Sequence, residues 1–592
     1  PTPRRSQRDP SHYSDTLLDG TAGPRRPLGT KLAAAAGIAL LALAISMVAI
    51  LPATELLSRS ERGAGFDRED ALKWSLPPAA LIETVVPGLF GDPTRTDPAR
   101  YWGGGVFDAG LPLILSLYLG PAALILAGTG FGAGVRSGGA RRAEALGLGC
   151  LAAGGVALAL GRFLPLYPAL ISILPPLRSV RYPVKFFLLA TWAVAVLAAR
   201  GYDRATARSG QAGSAWRGIP VWVACGAAFA TLGALLAGGH RAELMASMVR
   251  CGLLIALTGL LLSIRAPRTI RLGLLVLPLL DLIAANVSLN PVAPSDFYTT
   301  PPRLAAPLGP AGAGRIWAAR RPEGFAFRTP RGDEPDSLRW GFFWDRMTLR
   351  NATYLPSGYR FAYDRGNERL DVMPGAAFGR LLYEGEGASI PAQESARLLS
   401  VAGVDRVITY GGLEGPGLVE AARLEGESRP PVVVMRNENA LPRAYVVSRV
   451  EVHPDILRAA RRLREPSFDP RAAVILEEGL APRGPAAAED PSAVPGGARI
   501  LEEGPTRVIV ESSSAEPGYL VLADTFYPGW KGSVDGEERP ILRANTMFRA
   551  VAVPAGTHRV EFLYKPSSVR SGLMVTAAGL LLAGILAVPR RR

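Results

Sequence analysis

The stretch ADTFYPGWKGSVDG, residues 523–536, places Phe526, Tyr527 and Trp530 beside a proline, two glycines and a lysine within seven residues. Asp535-Gly536 is a hairpin-turn pair, because a two-residue turn needs positive φ and these residues supply it at little steric cost. Around it, Arg507–Ser512, Gly518–Asp524, Phe548–Val553 and His558–Tyr564 alternate apolar and polar residues, and Pro554-Ala555-Gly556 is a second turn. Short strands at this spacing predict a β-sandwich over 498–570. The crowded aromatics then have two uses. They fill the sandwich core, or Tyr527 and Trp530 stack on a sugar ring while Lys531 or Asp524 bonds its hydroxyls.

Upstream, residues 290–497 have the mixed composition of a water-soluble region. Glu394–Thr409 reads as a helix running into a short strand. Pro431–Val450 reads as a strand pair broken at Asn437–Pro442, and Asp455–Leu463 as a basic helix stopped by Pro466. A mixed α/β region is expected there.

The first half is different. Apolar runs long enough to cross a bilayer occur at 32–51, 110–131, 145–161, 184–200, 218–238, 250–264 and 270–289, with another at 571–588. Phe163–Leu177 is apolar too, but its four prolines predict a re-entrant or interfacial segment. With 1–31 in the cytoplasm, the inner loops hold Arg136, Arg141, Arg142, Arg204, Arg208, Arg217, Arg265, Arg268 and the final Arg triplet. That parity follows the positive-inside bias. The fold class expected is a multispan α-helical membrane protein of about eight transmembrane helices with an extracytoplasmic α/β plus β-sandwich domain. Residues 32–289 would form a bundle of about seven spans, and 571–592 the last span and its cytoplasmic tail.

A formal net charge of +15 invites a nucleic-acid reading, but the arginines sit in short loops between apolar runs, so no nucleic acid is expected. Arg outnumbers Lys 61 to 5, which reflects a GC-rich bacterial genome. Cys150, Cys225 and Cys251 fall inside apolar runs, so the soluble half has no disulfide. His12, His240, His453 and His558 show no metal-ligand spacing, and HExxH, GxSxG and Walker sequences are lacking. A divalent metal is therefore not supported by any motif. Residue 1 is proline, and the chain reads as the interior of a longer protein.

Several pieces resemble the YfhO family of bacterial membrane proteins: LPATELLSRSERG (51–63), SLPPAALIETVVPGLFG (75–91), LRSVRYPVKFFLL (177–189), LLSVAGVDRVIT (398–409), ALPRAYVV (440–447) and the block 525–568. The resemblance implies a GT-C-type glycosyltransferase in the bacterial cytoplasmic membrane. It would take sugar from a polyprenyl-phosphate donor and pass it to a cell-envelope glycopolymer, as in lipoteichoic acid glycosylation. The family's acidic first extracytoplasmic loop is expected ahead of the LPATELL-like segment and is not in this sequence.

Such a reaction needs a base or metal-bound carboxylate and cations for the leaving phosphate. Arg178, Arg181, Tyr182 and Lys185 sit where an outer loop enters a span, a place to hold a lipid phosphate or to snorkel toward ordinary headgroups. Glu55, Arg59 and Arg62 follow the first span, with Glu83, Asp92 and Asp108 further along the loop. These read as acceptor-site residues or as solvated loop charges. Asp281 lies ~15 Å along a helix from Arg271, near the middle of the bilayer. It faces a cavity, or bonds within the bundle near Asn286. GTGFGAG (128–134) resembles a phosphate loop but follows an apolar run, so a span-ending turn is expected. Two other functions fit the same residues: a non-enzymatic envelope glycan-binding protein, or a lipid or polymer flippase using Asp281.

Overall fold

A computed structural model describes residues 27–94, 101–207, 215–236, 242–263, 268–289, 295–321, 326–327, 337–350, 353, 355–363, 370–383, 392–425, 428–453, 455–477 and 496–588. It forms two compact units. One comprises Pro1–Arg59, Ala444–Arg449 and Leu480–Arg592, the other Ser60–Arg443 and Val450–Gly479.

The long apolar helices, in chain order, are α1 (Leu28–Ile45), α2 (Met47–Arg59), α3 (Pro121–Ser137), α4 (Gly139–Ala159), α5 (Leu166–Ile173, short), α6 (Phe187–Ala207), α7 (Ala215–Leu236), α8 (Ala242–Ser263), α9 (Arg268–Asn286) and α10 (Ser567–Ala587). Among the described residues four helical stretches are long and apolar enough to cross a membrane, Gly139–Ala159, Pro183–Thr206, Ala242–Ser263 and Ser567–Ala587. The bent pair α1–α2 would make five, and Val221–Leu232 and Leu272–Asn286 are shorter apolar helices. The chain thus fits a membrane protein with a separate β-rich part, at fewer full spans than the eight expected. Exposed Leu188 and Trp192 on α6, and Leu581 and Ile585 on α10, fit lipid-facing surfaces.

Two sequence expectations need correction. The run at 110–131 is helical only from Pro121, because Gly120 at φ 82 turns the chain and proline then occupies the first helical position. GTGFGAG is not a turn but lies within α3. Its Gly130 lets α3 approach α6 closely: a Cβ there would sit 2.1 Å from the Leu197 carbonyl oxygen. The facing Gly201 is tighter still, with a built Cβ 1.9 Å from the Leu126 carbonyl oxygen. Small residues at a helix crossing are how apolar helices gain packing in a solvent as apolar as themselves. Phe163–Leu177 forms the short α5 between 3-10 turns.

In the first unit α1 and α2 meet at 69° beside Ser46. The break frees backbone groups, and Thr576 of α10 takes them up. Its hydroxyl accepts from the Val48 N–H at 3.0 Å and lies 3.0 Å from the Ile45 carbonyl oxygen. A polar group left unpaired in an apolar medium costs several kcal/mol, roughly 2–7, so this contact lets the bend persist.

The second unit carries a five-stranded sheet of β1 (Arg315–Ala318), β2 (Arg360–Phe361), β3 (Val404–Tyr410), β4 (Leu418–Leu424) and β5 (Val432–Asn437), in the order β2-β1-β3-β5-β4. The helix Ala392–Val401 leads into β3, and Asp455 caps the helix Ile456–Arg464 by accepting from the Arg458 N–H at 2.7 Å.

The first unit's β part contains β6 (Ala444–Val447), β7 (Gly497–Glu503), β8 (Arg507–Ser514), β9 (Gly518–Thr525), β10 (Trp530–Val534), β11 (Glu537–Arg539), β12 (Leu542–Ala544), β13 (Phe548–Val553) and β14 (Gly556–Tyr564). One sheet runs β7-β8-β14-β10-β11; β6, β9, β13 and β12 lie side by side in the other. Their inner faces share one core of Val446, Val510, Leu520, Val551, Val560 and Phe562, with Trp530 packed against it. This is the sandwich that the alternation predicts, and Asp535 (φ 49) and Gly536 (φ 88) make its hairpin turn.

Candidate functional site

The second unit carries an open-sided cavity of about 230 Å³. Three parts of the chain build its polar lining. The Pro78–Thr84 turn supplies Glu83, the loop after it supplies Asp92, and the segment before α3 supplies Tyr118. The third part is α8, on which Glu243, Ser247 and Arg250 share one helix face at i, i+4 and i+7. Ala284 and Ala285 of α9 close the wall.

The carboxyl of Glu83 is mostly withdrawn from water, and burial pushes its pKa up to about 7, against one opposing hydrogen bond from the Phe90 backbone. Tyr101 lies in its field: burial, and then the charge of Glu83, push that hydroxyl up to about 12. The Tyr101 hydroxyl is buried and makes no hydrogen bond. Asp92 Oδ1 accepts from the Thr94 N–H at 2.9 Å and from its hydroxyl at 2.7 Å, which fixes the Asp92 turn.

Behind the cavity wall lies Asp281, its side chain 2% exposed. The Tyr118 hydroxyl donates to Oδ2 at 2.7 Å, and Arg250 Nη2 stands 3.4 Å from Oδ1. The guanidinium carbon is 5.8 Å from the centre of the Tyr118 ring. A carboxylate among apolar helices needs such partners, since an unpaired buried charge is costly. Asn286, the neighbour expected from sequence, instead donates to the Leu282 carbonyl at 2.7 Å. The chain passes tightly over the carboxylate at Gly120, where a Cβ would lie 2.8 Å from Oδ2.

The basic candidates come together elsewhere in the same unit. The Arg181 guanidinium lies between the rings of Phe66, at 4.5 Å, and Tyr182, at 4.7 Å, and is 7% exposed as a residue. Lys185 Nζ lies 4.8 Å from the Tyr182 ring centre. Arg62 joins them: its Nε donates to the Ser179 carbonyl at 2.9 Å, and Arg178 Nε donates to that of Ile171 at 3.3 Å. Tyr182, at φ 71, is held against Trp74 at 4.7 Å. Stacking and backbone bonds occupy much of this cluster's donor capacity. Asp108 accepts from the Trp74 N–H at 2.6 Å and from Arg162 Nη2 at 2.8 Å.

Glu55, Arg59, Tyr527 and Trp530 belong to the first unit. Glu55 and Arg59 are 3.9 Å apart. Tyr527 and Tyr564 have ring centres 6.4 Å apart. Burial, and then the charge of Glu55, raise the Tyr527 hydroxyl above its ordinary range. Trp530 is engaged by the fold: the Arg549 guanidinium lies 4.0 Å over its ring, Tyr564 is 5.2 Å away, and Arg549 pairs with Asp524 at 3.1 Å. Lys531 bonds Glu538 at 3.0 Å.

Sequence reading missed Tyr118, Glu243 and Arg250. The spacing 243, 247, 250 was a usable signal, one polar stripe on an otherwise apolar helix. Among the described residues no group of three or more His, Cys, Asp or Glu is arranged to hold a metal ion.

No protein-family model matches the chain, and no curated protein matches it. Two solved structures are similar to it, both of the arabinofuranosyltransferase AftD from Mycobacteria. One is a mutant form (TM-score 0.20, 13% identity, 75% of this chain and 49% of that one). The other has a TM-score of 0.20 and 14% identity, over 75% of this chain and 45% of that one. The chain thus spans about half the length of the structures it matches.

Proposed function

We propose that this chain is a membrane glycosyltransferase that moves sugar from a polyprenyl-phosphate carrier to a cell-envelope glycopolymer at the outer face of the bacterial cytoplasmic membrane. The observation that carries the reading is the cavity formed by Glu83, Asp92, Tyr118, Glu243 and Arg250 at the ends of apolar helices. The resemblance of the 51–63, 177–189 and 525–568 segments to the YfhO family supports it. An acceptor hydroxyl attacks the anomeric carbon, the bond from that carbon to the carrier phosphate breaks, and the hydroxyl proton passes to a carboxylate. Glu83 fits that last role, because a base works best with a pKa near ambient pH and burial holds this carboxyl at about 7. Arg178, Arg181, Tyr182 and Lys185 are the candidates for the carrier phosphate. No step is routed through a metal.

The test compares envelope glycans of a deletion strain with its parent. Loss of one sugar substituent is expected, restored by the wild-type gene and reduced about a hundredfold in rate for Glu83→Gln, the scale of general-base catalysis. Unchanged glycans in the deletion strain would refute the transferase reading.

A further inference from the structure

The short helix α5 is apolar on the face it buries and on the face it shows. Tyr167 and Ile171, one turn apart, pack into a core with Phe66, Ala71 and Leu72. On the opposite side Leu166, Ala169 and Ile173 are exposed, and Phe163 and Leu174 continue that exposure beyond the helix ends. The Ser172 hydroxyl donates to the Pro168 carbonyl oxygen at 2.9 Å, and the Tyr167 hydroxyl to that of Val180 at 3.3 Å. Neither proton is left for water, whereas a helix at a water boundary carries polar side chains on its outer face.

The connectivity says where this surface lies. The segment joins two helical stretches long enough to cross a membrane, Gly139–Ala159 and Pro183–Thr206. Its ends meet: a Cβ on Gly161 would lie 2.9 Å from that of Pro183. At helical rise α5 is about 12 Å long against a hydrocarbon core of ~30 Å, so it sits at one membrane face and does not cross. Beside it is an open depression of about 490 Å³, with Arg68 and Arg162 over Phe163, Pro165, Pro168 and Ala169 and no carboxylate in its described lining. Arg162 gives Nη2 to the Leu72 carbonyl oxygen and to Asp108. Arg68 is exposed and has no ion-pair partner among the described residues.

We propose that α5 lies in the headgroup layer with Leu166, Ala169 and Ile173 toward the acyl chains, and that the depression seats an anionic phospholipid headgroup on Arg68 and Arg162. An outward apolar face beside cations is what holds an interfacial helix to anionic lipid. The exposed Leu188 and Trp192 of α6 continue the same apolar surface into the bilayer. This concerns how the second unit meets the membrane and does not depend on the transferase reading.

The full chain in nanodiscs of phosphatidylglycerol and phosphatidylcholine tests it. A nitroxide is placed at Ile173→Cys, and at Arg458→Cys as an exposed control, after Cys150→Ala and Cys225→Ala. Oxygen, which partitions into lipid, should relax the label at 173 more than a water-soluble nickel chelate does, with the reverse at 458. Stronger relaxation by nickel at 173 would mean water there, and weak relaxation by both would mean a protein segment covers the helix; either overturns the proposal. On unlabelled protein, spin-labelled phosphatidylglycerol should be preferred over spin-labelled phosphatidylcholine. Arg68→Gln should weaken that preference about fivefold, the worth of one cation at an anionic lipid surface, and leave phosphatidylcholine binding unchanged. Equal affinity for the two lipids, or a preference untouched by Arg68→Gln, would overturn the headgroup site.

Discussion

Replacing Glu83 with Gln removes an ionisable group that the fold holds at an abnormal pKa, and the consequence is calculable. Its carboxyl moves from an ordinary 4.5 to about 7, chiefly through burial. Holding the ionised form in that place costs about 3 kcal/mol, or about 2 once partial solvent screening is allowed. The sign follows from proton counting. Below pH 4.5 the folded and unfolded carboxyls are both protonated and no penalty exists. Between about 4.5 and 7 the unfolded state gives up its proton first, so stability falls as pH rises. Above about 7 both are ionised and the full penalty persists. Glu83→Gln should therefore match the wild-type protein near pH 4 and exceed it by about 2–3 kcal/mol at pH 8. Thermal unfolding of both proteins in detergent across that range measures the difference. Parallel pH profiles would refute the argument, since they would mean that Glu83 ionises as it does in water.

The sandwich offers a pH test of the opposite kind. His558 Nδ1 lies 2.7 Å from Asp535 Oδ2 and Nε2 lies 3.0 Å from the Ala555 carbonyl oxygen, so only the imidazolium donates to both. These bonds raise the His558 pKa above 6.5, and the same pair lowers that of Asp535 below 3.8. The contribution is present between about pH 4 and 6.5. It is lost as pH rises through the raised His558 value or falls through the lowered Asp535 value. Hydrogen-exchange protection factors at the Asp535–Gly536 turn, taken relative to the intrinsic rate at each pH, should be highest within that window, and His558→Gln should flatten the profile. In the membrane part, Gly201→Leu should destabilise the α3–α6 crossing by at least about 1–3 kcal/mol, since even a Cβ meets the Leu126 carbonyl oxygen at 1.9 Å. A melting temperature equal to the parent's would show that the helices are not held this closely.

Local pattern alone determined much of this chain. Period-two alternation around ADTFYPGWKGSVDG sets four strands within a few residues, because a strand's side chains alternate faces wherever one sheet face is buried. Asp535-Gly536 marks the turn through backbone preference alone, and Asp455 marks a helix start through its side-chain oxygen. Apolar runs likewise mark the helices. They do not say where a run is helical: the 110–131 run and GTGFGAG were misplaced because hydropathy does not register Gly120-Pro121 as a start, nor glycine as a packing device. Pairings between distant segments belong to the tertiary structure. Asp281 is conspicuous in sequence, yet its partners Tyr118 and Arg250 lie 163 and 31 residues away, brought near only when α8, α9 and the chain before α3 pack together. Glu83 looks like any loop acid until burial raises its pKa. Trp530 offers a flat ring on paper, and the fold lays Arg549 across it. Composition fixes which segments leave water; only packing decides which polar groups leave with them, and what each then meets.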